Sequence, residues 1–185
     1  IQPGGYSATN YAVEPDASAA TYLWAAEALT GGQIDIGARP EDMNQPDAAA
    51  YEMIRAFPYM PAQIEGSQMQ DAIPTLAVLA AFNNTPVRFT GIANLRVKEC
   101  DRLHAVTTEL TKLGVRVDEF EDRMVIHGNG GRGMQSAEIE TYNDHRMAMS
   151  MSVAGLRVPG VRIRGEGCVV KSFPGFWEQF AKLQI

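Results

Sequence analysis

The alternation of apolar and polar positions divides the chain into three runs of one shape. "DASAATYLWAAEALTGGQIDI" starts at Asp16, "DAIPTLAVLAAFNNTPVRFTGI" at Asp71 and "DHRMAMSMSVAGLRVPGVRIRG" at Asp144. Each opens on aspartate, a favoured N-cap residue, so capping alone accounts for all three at this level. Each continues as a run of small and apolar residues, then turns through Gly, Asn or Pro into a short alternating strand. The runs are apolar on nearly every face, which predicts helices buried on all sides. Pro74 falls in the first turn, where a helix tolerates it.

A second, more amphipathic helix is predicted after each run, over 46–57, 98–113 and 171–183. In the middle one, Leu103, Val106, Leu110 and Leu113 form one apolar stripe and Gly114 supplies the stop. The last presents Phe173, Phe176, Trp177, Phe180 and Leu183. "VRVDEFEDRMVIHG" reads as a hairpin turning near Glu121-Asp122, and "YMPAQIEGSQMQ" as a degraded hairpin. The unit is strand–helix–strand–helix–hairpin, taken about three times, over about 11–70, 71–135 and 136–185. One such unit cannot cover an all-apolar helix, whereas three around a shared centre can. The expected fold is therefore a single α/β (α+β) domain over 1–185, with helices inside and sheets outside.

A chain of 185 residues, 45% apolar and 21% charged, fits a globular class and carries no apolar run of membrane-span length. No basic-then-apolar leader opens it, and with only two cysteines a reducing cytoplasm is the expected default. Its start at Ile1 fits a piece of something longer. Cys100 and Cys168 are too few for a disulfide scaffold and lack metal-ligand spacing. A net charge of −6 without a Lys/Arg block weighs against nucleic acid.

Against that acidic background, cations collect at predicted helix starts: Lys98 and Arg102, then His145 and Arg146, then Lys171. Lys98 and Arg102, four apart, would share a helix face at a cost of about 0.2–0.5 kcal/mol. They would also sit at the positive end of the helix dipole. Local rules broken in this way tend to mark function. If the starts converge on one rim, unpaired helix N–H groups and these cations build an anion site. The alternative is solvated charge paired with acids such as Glu99 or Asp101. Glu99, three before Arg102, reads either as a proton carrier between cations or as a first-turn acid. His145 reads as a proton donor, a phosphate contact or a structural residue. Met147, Met149 and Met151 read as packing. Charged neighbours would lower the pKa of Cys100, which has no evident base partner. "GNGGRG" (128–133) lacks the spacing of a phosphate loop and reads as a connection.

"NLRVKECDRL", "TYNDHRMAMS" and "GCVVKSFPGFWEQF", in that order, resemble the 5-enolpyruvylshikimate-3-phosphate synthase family. The resemblance runs from about Tyr11 to the end. It implies transfer of the enolpyruvyl group of phosphoenolpyruvate to the 5-hydroxyl of shikimate 3-phosphate, with release of phosphate. The implied course is addition then elimination through a tetrahedral intermediate, without metal or cofactor. The implied fold is an inside-out α/β barrel lobe of three βαβαββ-type repeats. By the same resemblance, Asp71 is the candidate base at the 5-hydroxyl, and Lys98 and Glu99 work in proton transfer. Asn94 binds the shikimate phosphate. Arg102, Arg146 and Lys171 hold phosphoenolpyruvate, with His145 beside them. Family members are roughly twice this long, so the chain is expected to be the C-terminal lobe. Without the N-terminal lobe it is expected to be inactive and to carry an exposed strand edge. UDP-N-acetylglucosamine enolpyruvyl transferase shares the fold but not these motifs. A non-catalytic binding module is the reading from another class. Glyphosate is an expected ligand of the full enzyme.

Overall fold

The computed structural model describes residues 4–5 and 7–183. Three helices form its centre: α1 (Ala17–Thr30), α3 (Ile73–Ala81) and α5 (His145–Ala154). Aspartates cap α1 and α5. The Asp16 carboxylate accepts from the backbone N–H of Ser18 and Ala19, and that of Asp144 from Arg146. Every residue of α3 is buried, and every residue of α5 except Arg146. The three pack on one another. At their meeting point each contributes one hydroxyl. Thr21 donates to Thr75 at 3.2 Å, and Thr75 and Ser150 are linked at 3.1 Å. Buried hydroxyls so joined satisfy each other without water.

Two sheets cover this centre. The first takes β1 (Gln63–Glu65), β2 (Val87–Thr90), β3 (Val117–Glu119) and β4 (Met124–Ile126) in the order β1-β2-β4-β3. β1 and β2 are parallel and the other pairs antiparallel. The second pairs β5 (Glu138–Glu140) with β6 (Arg162–Arg164) in parallel. Parallel neighbours need a crossover. α3 makes the one from β1 to β2, and α5 the one from β5 to β6. Val87, Phe89, Met124 and Ile126 alternate inward onto the helices. The outer helices are α2 (Ala50–Arg55), α4 (Arg102–Lys112) and α6 (Phe176–Ala181). α6 docks through Phe176, whose ring meets Tyr22 edge-on at 6.0 Å and stacks with Phe180 at 5.2 Å. Among the described residues no helix is long and apolar enough to cross a membrane.

Several local expectations are corrected. No strand forms over 31–36. "YMPAQIEGSQMQ" is not a hairpin; it supplies only β1, which β2 recruits in parallel. The helix expected over 98–113 begins at Arg102, because Asp101 is its cap and accepts from His104 N–H at 2.9 Å. Lys98 is left in extended backbone and shares no helix face with Arg102. The helix expected from Lys171 starts at Phe176 instead. Pro174 turns the residue before it away from helical geometry, and Lys171 closes a separate 3-10 turn, Glu166–Lys171. Over 46–57 a 3-10 turn, Pro46–Ala49, precedes α2. Asp71 caps nothing: α3 has Ala72 at its cap, without a side-chain hydrogen bond.

Gly128 marks a close backbone approach. A Cβ there would lie 2.6 Å from the carbonyl oxygen of Asn83 and nearer still to that of Ala80. Both are backbone atoms that cannot rotate away. Gly128→Ala is therefore expected to destabilise the fold by about 1–3 kcal/mol, read as a lower urea midpoint. An unchanged midpoint would show that the 128–133 loop is not seated against α3.

Candidate functional site

Arg102 is the first residue of α4, and its side chain is 1% exposed. It is surrounded by carboxylates from three segments. Nε donates to Oδ2 of Asp144 at 2.7 Å, and Nη2 to Oδ1 at 3.3 Å. Nη1 donates to Asp71 at 2.8 Å, and Nη2 to Glu99 at 2.5 Å. Asp144 is fully buried and also caps α5. The starts of α3, α4 and α5 are thus joined through one guanidinium.

Further cations gather on the same carboxylates. Asp71 also pairs with Arg146 at 3.0 Å and with Lys98 at 3.6 Å. Glu99 pairs with Lys171 at 2.5 Å. Four cations therefore meet three carboxylates in these ion pairs, and a further carboxylate, Asp47, lines the same cavity wall as Asp71 and Lys98. The cations converge, but only Arg102 and Arg146 do so from helix starts; Lys98 and Lys171 reach the cluster from extended backbone and a 3-10 turn, and all four are also paired. Lys171, with its side chain 61% exposed, and the partly exposed Lys98 are the ones with room to move. Arg146 is mostly buried and also reaches the hydroxyl of Tyr22 at 3.4 Å.

Lys98 and Glu99 stand on irregular backbone that Arg96 holds in place. Its guanidinium donates to Asp101 at 2.7 Å, to Glu119 at 3.0 Å, and to the carbonyls of Phe120 and Glu121. This ties the β3–β4 hairpin to the segment between the 3-10 turn Ala93–Val97 and α4. Sequence reasoning passed over Arg96 and read Asp144 only as a cap. The signal for Arg96 was an arginine two residues before Lys98 on a stretch with no helical stripe.

Charge sets the protonation of the cluster. Burial would raise the Glu99 carboxyl, but the hydrogen bond from Lys171 and the charges of Arg102 and Lys171 outweigh it and bring it down to about 2. Burial also opposes ionisation of Asp71, and Arg146, Arg102 and Lys98 together hold it below the usual carboxylate range. Burial, with help from Arg146, lowers His145, which favours the neutral ring. Its side chain is 4% exposed, and its Nδ1, 3.8 Å from Asp144, has no hydrogen-bond partner among the described residues. Cys100 is corrected: burial and Asp144 push its thiol up to about 12, so it is no ready nucleophile.

Asn94 lies in the Ala93–Val97 turn, and its buried Oδ1 has no hydrogen-bond partner among the described residues. Among the described residues no ion pair or hydrogen bond joins it to the cluster. A polar cavity of about 350 Å³ opens beside Asp71 and Lys98, with Ser18, Gln45, Asp47 and Gln70 among its walls. A larger one, about 540 Å³, is bounded by Leu156, Trp177, Phe180 and other residues outside the cluster. Among the described residues no three His, Cys, Asp or Glu side chains are grouped to hold a metal ion.

Comparison with known proteins adds three findings. A profile of the family described as EPSP synthase (3-phosphoshikimate 1-carboxyvinyltransferase) matches residues 47–180. The 3-phosphoshikimate 1-carboxyvinyltransferases of Rhizobium etli (strain CIAT 652) and Pseudomonas syringae pv. tomato are each 54% identical over 189 aligned positions. Each match takes in the whole chain and 45% of the relative. A solved structure of EPSP synthase from Acinetobacter baumannii superposes with a TM-score of 0.72 at 26% identity, over 90% of this chain and 45% of that one. The chain thus spans less than half the length of the relatives it matches.

The depressed carboxyl of Glu99 has a measurable consequence. Ionised Glu99 stabilises the fold above its ordinary value of 4.5, and that contribution is lost as pH falls from there toward 2. Urea midpoints of the parent chain are expected to fall more steeply between pH 4.5 and 2.5 than those of Glu99→Gln. Parallel slopes would mean that Lys171 and Arg102 do not hold Glu99 as described.

Proposed function

The chain belongs to the EPSP synthase family, and from that premise we propose that it forms one lobe of an enolpyruvyl transferase. The proposed reaction joins the 5-hydroxyl oxygen of shikimate 3-phosphate to C2 of phosphoenolpyruvate while a proton is added at C3. The tetrahedral adduct then loses a proton from C3 and expels phosphate, which restores the double bond. No metal or cofactor is required.

The observation that carries this reading is the convergence of four cations from separate segments in a chain of net charge −6. Phosphoenolpyruvate carries about three negative charges near neutral pH, one on its carboxylate and nearly two on its phosphate. Four cations already paired with the domain's own carboxylates cannot balance that alone. The remaining length of the relatives is proposed to supply the facing wall of a cleft, with further cations. Closure of the two lobes then excludes water and orients both substrates.

Within this lobe Arg102, Arg146 and Lys171 hold the phosphoenolpyruvate anions, with His145 beside them. Lys98 and Asn94 serve shikimate 3-phosphate. Asp71 takes the proton of the 5-hydroxyl, and Glu99 moves the proton at the methylene carbon. A carboxyl near 2 is too acidic to carry protons at neutral pH. An arriving phosphate that draws Lys171 away removes the strongest hydrogen bond holding Glu99 down, and its proton affinity rises at the moment it is needed. Asp71 regains basicity in the same way as Lys98 turns to substrate.

Phosphate release from phosphoenolpyruvate and shikimate 3-phosphate tests this, for the 185-residue chain alone and after mixing with a separately made complementary lobe of a relative. Negligible release from the chain alone and clear release from the mixture are expected. Arg146→Leu or Lys171→Met should lower the mixed rate by at least about tenfold, the scale of one lost charged hydrogen bond. No release from a mixture of folded, associated lobes would overturn the reading.

A further inference from the structure

Two helical turns along α4 from Arg102 lies Glu109, which is fully buried. Its carboxylate accepts from the Tyr142 hydroxyl at 2.7 Å and from the backbone N–H of Glu140 at 3.2 Å, and pairs with Lys112 at 2.8 Å. Tyr142 and Asn143 both hold φ at 55°, in the left-handed region. Asparagine enters that region more readily than most residues, but a bulky aromatic is an outlier there. These two residues form the turn between β5 and α5. The next residue is Asp144, which grips Arg102. α4 is therefore tied to the 140–144 segment at two points, through Arg102–Asp144 and through Glu109–Tyr142. An unfavourable backbone of this kind persists only where surrounding contacts over-determine it.

We propose that Glu109 is a positioning residue. Its buried carboxylate latches the Tyr142 hydroxyl, holds the left-handed Tyr142–Asn143 turn and thereby sets Asp144 where it locks Arg102. Lys112, from the adjacent turn of α4, pairs with that carboxylate and holds it in place. Only the functional consequence rests on the proposed anion site; the latch itself can be tested without turnover.

The Arg102 Nε–H donates to Asp144, so its hydrogen-exchange protection by NMR reports the lock directly. Tyr142→Phe in the full 185-residue chain removes the hydroxyl and keeps the ring. The expected result is about tenfold faster exchange at Arg102 Nε–H, with the amides of α1 and α3 unchanged. Adding Asn143→Gly, which enters the left-handed region freely, should restore the protection. Unchanged protection in Tyr142→Phe would overturn the proposal. So would uniform acceleration across α1, α3 and α4, or a failure of Asn143→Gly to restore it. If the latch behaves as expected while the parent lobe mixture releases no phosphate, the functional reading alone fails. If the mixture is active and Arg102 stays protected in Tyr142→Phe, the latch alone fails.

Discussion

A guanidinium at 1% exposure must be neutralised where it stands, and the arrangement of this domain follows from how Arg102 meets that demand. Desolvating one ion costs several kcal/mol, so an unpaired Arg102 would be incompatible with a marginally stable fold. The counter-charges come from Asp71, Glu99 and Asp144, which precede α3, α4 and α5. Satisfying one side chain thereby fixes where three helices begin. The hydroxyls of Thr21, Thr75 and Ser150 join α1, α3 and α5 in the same spirit without charge. The apolar faces supply the burial, and these polar links select one register among the ways such featureless helices could slide.

The same demand divides the cluster into fixed and movable parts. Arg102 donates four hydrogen bonds from its rigid five-donor fork to Asp71, Glu99 and Asp144, which leaves one Nη1–H uncommitted among the described residues. Lys98 and Lys171 are single ammonium groups on flexible stems, each sharing a carboxylate with a more buried arginine. An incoming anion can recruit these lysines without dismantling the fold, and it changes the proton affinity of Asp71 and Glu99 as it does so. In the proposed reaction, binding and proton transfer are coupled through the ion pairs themselves.

The buried helices were legible because a helix surrounded by protein shows an apolar run with no polar stripe, as at 73–81. The gathering of cations was legible as charge placed against local preference. Their partners were not. Asp71, Asp16 and Asp144 look alike as caps, and only tertiary contacts show that Asp71 faces Arg102, Arg146 and Lys98 while the other two cap. "KECD" offers several helix starts, and the choice of Asp101 depends on Arg96 holding it from another segment. Strand formation needs a partner, which "GGQIDI" lacks among the described residues and "QIE" finds in β2. Asn94 entered only through family resemblance, and its buried oxygen has no partner among the described residues.

The claim that the Arg102–Asp144 pair organises the domain is tested most directly by a double-mutant cycle of Arg102→Met and Asp144→Asn, read from urea unfolding. Asparagine is also a good N-cap, so capping of α5 largely cancels. Each single change strands a buried charge or weakens its neutralisation, whereas the double change removes both. The account predicts a coupling energy of about 2 kcal/mol or more, with the double variant far more stable than the sum of the singles implies. Additive effects would contradict it, and would mean that the helix starts are set by apolar packing alone.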